Sequence, residues 1–144
     1  MLYFDTSFLA PLVVSEATSE SITVFFETLD DAERATSQWT RVECASLIAR
    51  LLRMDQIDTL TASQYAAQFD ELITSAFKVF LPEADDFDRA RRLLAVANTG
   101  LRAGDALHLA IAANRNAGRI YTLDKGFVRA GRLLGQPVEG LDTA

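Results

Sequence analysis

The chain has 144 residues, 49% of them hydrophobic and 24% charged, with three prolines and one cysteine; this is the make-up of one globular domain and excludes a disordered, collagen-like or disulfide-stapled protein. The formal net charge of -6 argues against holding nucleic acid by global attraction, although acids gathered around divalent cations would present a weaker negative field than the count suggests. No apolar run approaches the roughly 18 residues of a membrane span, and Asp5 interrupts the N-terminus before an apolar signal segment can form, so the expectation is a soluble, cytoplasmic protein.

"MLYF" is a short apolar run that ends at Asp5 and predicts a buried strand. A short helix follows from Ser7 to about Val14. Residues 15–31 carry Ile22, Phe25, Phe26 and Leu29 at helical spacing behind a Ser15/Glu16 start. "RATSQ" reads as a brief strand. "TRVECASLIARLLRMDQ" is an amphipathic helix with Val42, Ala45, Ile48, Ala49 and Leu52 as its apolar stripe, and Thr40 with Glu43 matches a capping box. The next helix, residues 61–77, is capped by Thr61, and "KVFLP" is a strand closed by Pro82.

"EADDFDRARRLLAVANT" places acids before arginines, as the helix dipole favours, and Gly100 ends it. Its Asp85, Asp86 and Asp88 read as an ordinary solvated helix start. "GDALHLAIAANRNAG" is a further helix, "RIYTLD" a strand ending in Asp124, and "KGFVRAGRLLG" a last helix before "QPVEGL". Strands alternating with helices predict an α/β layer fold on a mostly parallel sheet.

Two of these strands end alike, in an apolar run, an aspartate and the start of a helix. Ligands of open α/β sheets bind outside the carboxyl ends of strands, which makes Asp5 and Asp124 site candidates by position. Asp105 and Glu43 lie in the first turns of their helices, where a carboxylate can also serve simply as a cap or dipole partner. Both, however, run straight into apolar sequence, so the helix faces carrying them point inward. Four converging carboxylates would repel one another by roughly 4 kcal/mol per pair at about 4 Å and an effective dielectric near 20. Hard, oxygen-preferring Mg²⁺ or Mn²⁺ would relieve that repulsion, whereas one histidine and one cysteine make no zinc set. Such a site suits phosphodiester hydrolysis. Thr6 and Ser7 are candidates either to hold a water or phosphate oxygen or to cap the next helix.

The stretches "YFDTSFL", "VECASLIAR", "LRAGDALHLAIA" and "IYTLDKGF", in this order and spacing, resemble PIN-domain ribonucleases, and specifically VapC-type toxins of toxin-antitoxin pairs. The resemblance covers almost the whole chain. It implies a three-layer α/β/α sandwich on a parallel sheet of about five strands, with metal-binding acids carried onto Asp5, Glu43, Asp105 and Asp124. It further implies Mg²⁺- or Mn²⁺-dependent RNA cleavage, a homodimer, and inhibition by a small antitoxin. Many relatives carry another acid just after the fourth; here Lys125 and Gly126 follow Asp124, which implies one firmly held ion and a second that arrives with substrate.

His108, one helical turn beyond Asp105, reads either as a general base or as a packed, hydrogen-bonded imidazole. Arg41, Arg102 and Lys125 lie near the acids in sequence and are candidates for RNA phosphate contacts. The competing expectations are a catalytically inactive PIN-like domain that binds RNA or protein, and a haloacid-dehalogenase-like phosphatase. The latter needs a second Asp two residues after the first, where Ser7 stands.

Overall fold

The computed structural model describes residues 1–29 and 31–141. Five strands form one parallel sheet in the order β3-β2-β1-β4-β5. They are β1 (Leu2–Phe4), β2 (Arg34–Ser37), β3 (Lys78–Phe80), β4 (Arg119–Tyr121) and β5 (Val138–Glu139). The chain first builds outward from β1 through β2 to β3, then returns to the other side of β1 for β4 and β5. The strand order therefore reverses between β1 and β4, where an open parallel sheet leaves a crevice at its carboxyl edge.

Side chains alternate across the sheet, and the register is set accordingly. Tyr3 pairs with Ile120 and Phe4 with Tyr121. Phe4 and Tyr121 enter a core on one face with Phe8, Ile22, Ile48, Phe69 and Ile73, drawn from α1 (Thr6–Leu9), α2 (Ser19–Thr28), α3 (Gln38–Arg53) and α4 (Thr59–Ala76). Tyr3 and Ile120 enter the opposite core with Leu109, Ile111 and Phe127 from α6 (Ala103–Asn114) and α7 (Lys125–Leu133). The helix α5 (Ala84–Leu94) packs on α6 through Ala90, Ala106 and Ala110. The result is the expected three-layer arrangement. Among the described residues no helix is long and apolar enough to cross a membrane.

Several local expectations change. Asp5 is itself the N-cap of α1, accepting from Phe8 N at 3.1 Å, and the helix yields to a 3-10 turn at Ala10–Leu12 instead of running to Val14. The α2 helix begins at Ser19 rather than Ser15, and Ser19 Oγ accepts from Glu16 N; Asp30, within the expected helix, lies outside the described residues. The α3 helix starts at Gln38, so Thr40 and Glu43 form no capping box and Glu43 falls in the second turn. Its buried face is Thr40, Cys44 and Ile48, while Val42, Ala45 and Ala49 are exposed. Thr40 can be buried because its hydroxyl has a partner: Thr36 donates to Phe4 O at 2.9 Å and so accepts from Thr40 at 2.7 Å.

Asp58, not Thr61, caps α4, accepting from Thr61 N at 2.7 Å. The α5 helix stops at Leu94, five residues before Thr99, and the chain turns through Asn98 and Gly100, both with positive φ. β4 ends at Tyr121, short of Asp124. β5 falls in the terminal stretch where no strand is predicted. Val138 there stacks on Gly131 of α7, where a Cβ would come within 2.3 Å of Val138 Cγ2.

Candidate functional site

At the crevice between β1 and β4 an open cavity of about 550 Å³ is lined by Asp5, Glu43, Asp105 and Asp124. Each arrives on a different element: Asp5 directly after β1, Asp124 as the N-cap of α7, Glu43 from α3 and Asp105 from the first turn of α6. All four acids singled out in the sequence thus face one space. Thr6, Ser7, Arg102 and Glu16 line it as well. Glu16, which by sequence reads as part of a helix start, instead lies in the irregular segment before α2 and faces the cavity.

Asp5 is 3% exposed, and its carboxylate accepts from Ser7 Oγ at 2.8 Å, Thr122 Oγ1 at 2.6 Å and Phe8 N at 3.1 Å. Burial nevertheless pushes its pKa up, against the pull of His108 and these donors. Ser7 Oγ in turn accepts from Leu123 N at 2.9 Å, and Thr122 Oγ1 from Asp124 N at 3.1 Å. These two hydroxyls therefore lock the loop after β4 onto the Asp5 carboxylate. Neither Thr6 nor Ser7 caps a helix; both donate to site carboxylates.

Glu43 Oε1 accepts from Thr6 Oγ1 at 2.7 Å and from the Nε2–H of His108. Burial acts to raise the Glu43 pKa, but the hydrogen bond and charge of His108, with help from Thr6, hold it below the ordinary value. His108 is buried, and its Nδ1 stands 2.8 Å from the Tyr3 hydroxyl, itself 3.0 Å from Ser37 Oγ. The histidine is thus the packed imidazole, tied at both nitrogens. Gly104 makes room for Glu43: a Cβ there would lie 3.0 Å from Glu43 Oε2 and 3.6 Å from Trp39 Nε1, a buried donor with no partner among the described residues.

Asp105 differs from the other three acids, since its carboxylate accepts no hydrogen bond among the described residues. Its pKa is pushed up to about 6, by burial first and then by the negative charges of Asp5 and Asp124. Asp124 spends Oδ1 on Phe127 N at 3.0 Å. Among the described residues no three acid, histidine or cysteine side chains already stand close enough to hold one ion. The chemistry of the donors still fits a hard divalent cation: four carboxylates, no soft ligand, and one acid raised by burial and then by its neighbours' charge. Of the three basic candidates, Arg102 lines the cavity and Lys125 follows Asp124. Arg41 does not reach it, donating to Thr74 Oγ1 at 3.0 Å and facing Asp70 at 3.8 Å.

Sheet order and cavity together define an α/β protein with a carboxylate site at its topological switch point. A family model described as PIN domain matches residues 2–133, and the chain belongs to that family. Solved structures share the fold. VapC20 of Mycobacterium tuberculosis, described as a sarcin-ricin-loop-cleaving toxin, superposes with a TM-score of 0.72 at 20% identity, over 91% of this chain and 95% of its own. FitAcB from Neisseria gonorrhoeae gives a TM-score of 0.73 at 17% identity over 96% of each chain. VapBC2 from Rickettsia felis, bound to a DNA fragment from its promoter, gives 0.72 at 18% identity over 99% of this chain and 100% of its own. No curated protein sequence matches the chain.

Proposed function

We propose that this PIN-domain protein is a Mg²⁺- or Mn²⁺-dependent endoribonuclease acting as the toxin of a toxin-antitoxin pair. The observation that carries this reading is the meeting of Asp5, Glu43, Asp105 and Asp124 in one cavity, with Asp105 raised to about 6 by burial and by the charges of Asp5 and Asp124. A site that makes its own carboxylates repel is built to receive positive charge. Asp5, Glu43 and Asp105 would hold the ion, and Asp124 would complete the negative rim. The chemistry such an ion supplies is an activated water and a counter-charge for the leaving oxygen. Thr6 and His108 would orient Glu43, while Ser7 and Thr122 would orient Asp5, so that an ion has only to draw the acids together.

The toxin assignment draws on the likeness to VapC20, and the antitoxin partner on the likeness to a toxin-antitoxin complex from Klebsiella pneumoniae. A homodimer and a cytoplasmic location belong to the same reading. The test is incubation of the purified protein with a structured RNA in Mg²⁺, in Mn²⁺ and in EDTA. Cleavage is expected with either ion and not in EDTA. Asp5→Asn and Asp105→Asn, checked for folding by circular dichroism, are expected to cut at least about 100-fold more slowly, beyond the usual loss when only a ligand's supporting residue is removed. Cleavage in EDTA, or cleavage that survives both substitutions, overturns the reading.

A further inference from the structure

In a chain of net charge -6, the segment from Lys125 to Val138 contains three cations and no acid. Lys125, Arg129 and Arg132 are spaced i, i+4 and i+7 on α7, so they share one face of the helix over about 10 Å. All three are exposed, and together with Val128 and Leu133 they line a shallow groove. Among the described residues none of the three is paired with a carboxylate, whereas Arg41, Lys78, Arg91, Arg115 and Arg119 are.

The position of this stripe connects it to the acid cavity. Lys125 follows Asp124, the carboxylate that caps α7 and lines the cavity. Arg129 leans toward the loop before α6: a Cβ on Gly100, whose φ is +73, would lie 3.5 Å from Arg129 Nη2. Two residues further along that loop, Arg102 lines the cavity itself. Positive charge thus runs from the cavity mouth along α7.

We infer that Lys125, Arg129 and Arg132, joined to the cavity through Arg102, form the track on which the sugar-phosphate backbone of single-stranded RNA lies outside the cleavage site. The inference rests on the nuclease reading above and deepens it by placing the substrate. The Arg129 and Arg132 guanidiniums, without a carboxylate partner among the described residues, are available for bidentate phosphate contacts. Phosphate contacts position a strand without reading its bases, so the track sets affinity and register and leaves sequence choice to the cavity. A confined stripe also explains how an acidic protein takes an anionic polymer: within a Debye length of about 10 Å the strand meets the local charge, not the total.

The experiment measures binding apart from cleavage, by fluorescence anisotropy of a labelled 12-nucleotide RNA on full-length protein carrying Asp5→Asn and Asp105→Asn, across a salt series. Adding Arg129→Gln with Arg132→Gln is expected to weaken binding on the order of tenfold at low salt and to reduce the log–log salt slope by about 1.4, or about 0.7 per lost phosphate contact. The control pair Arg91→Gln with Arg92→Gln removes equal charge from α5 and is expected to change affinity less than twofold. Unchanged binding in the α7 pair overturns the track, even if the wild-type protein cleaves RNA. An equal loss in both pairs shows a net-charge effect and also overturns it. So does displacement of the RNA by polyglutamate at matched charge, which would mark the stripe as a surface for acidic protein. Because binding is read without turnover, a failure of the nuclease reading appears separately, in the cleavage assay.

Discussion

Asp5 and Asp86 are both buried, at 3% and 1% exposure, and each accepts three hydrogen bonds. Their carboxyls nevertheless shift in opposite directions. Asp86 accepts from Arg115 Nη1 at 2.9 Å, Asn114 Nδ2 at 2.7 Å and Glu83 N at 2.8 Å. Burial acts to raise its pKa, but Arg115, Glu83 and Asn114 bring it below the ordinary value. Asp5 has hydroxyl and amide donors but no guanidinium, and burial leaves it raised. The protein supplies the counter-ion at Asp86 and withholds it at Asp5. Asp86 is thus an acid that holds helices together, whereas Asp5, on the reading proposed above, is one left for an external cation.

The sharpest way to break this comparison is the same isosteric change at both sites. Asp86→Asn turns an acceptor into an amide facing Arg115 and Asn114, both donors, and leaves the guanidinium without its charge partner. Loss of one partner from a buried pair costs about 3 kcal/mol or more. Asp5→Asn faces Ser7 and Thr122, whose hydroxyls can rotate to accept, and it removes an unpaired buried charge. In EDTA it should remain within about 1 kcal/mol of wild type, or exceed it. Urea unfolding of the two variants decides the matter, and equal losses would mean that the two buried acids do the same structural work.

A smaller effect lies in the pH dependence of stability. The folded pKa of Asp105, about 6, stands above its unfolded value, so between about 4 and 6 the folded state binds more protons than the unfolded state. Asp105 therefore lowers stability as pH rises through that window. Relative to Asp105→Asn, metal-free wild type should lose stability from pH 4 to pH 7, measured by urea unfolding in EDTA. Asp86 acts with the opposite sign: its contribution is present above about 4 and is lost as pH falls through its lower folded pKa. At pH 7, Mg²⁺ at tenfold its Kd should restore about 1.4 kcal/mol to wild type and much less to Asp105→Asn.

How much of this was legible in the sequence follows from how local each feature is. The alternation of strands and helices, and the two aspartates after β1 and β4, depend on short apolar runs and were readable. Asp86 reads as solvated because its partners, Asn114 and Arg115, lie 28 and 29 residues further along the chain. The buried face of α3 differs from the apolar stripe for a related reason: Thr40 counts as polar until Thr36 accepts its hydroxyl, and Thr36 is held by the Phe4 carbonyl 32 residues earlier in the chain. β5 is only two residues long, and its place is set by the contact of Val138 with Gly131, which no periodicity reveals. At the site, the four acids announced themselves by position. Of the groups that orient them, Thr6, Ser7 and His108 are candidates by sequence, whereas Thr122 and Tyr3 look like ordinary strand residues.

Tyr3 offers the finest test, because it acts on the site without touching it. Its ring belongs to the core on the α6 side, and among the described residues its hydroxyl bonds His108 and Ser37 alone. Tyr3→Phe keeps the packing and removes one oxygen, leaving buried Ser37 Oγ and His108 Nδ1 short of a partner at a cost of about 1–3 kcal/mol. His108 would keep its bond to Glu43 but lose the support that fixes the ring's orientation. Removing a group that directly supports a metal ligand weakens binding about 10–100-fold, the range expected for His108→Gln; Tyr3 stands one contact further out. Tyr3→Phe should therefore weaken Mg²⁺ binding by less than His108→Gln while remaining folded, with calorimetric titration as the measure. If both variants bind Mg²⁺ as wild type does, Glu43 needs no help from the sheet, and the chain from Tyr3 through His108 is packing alone.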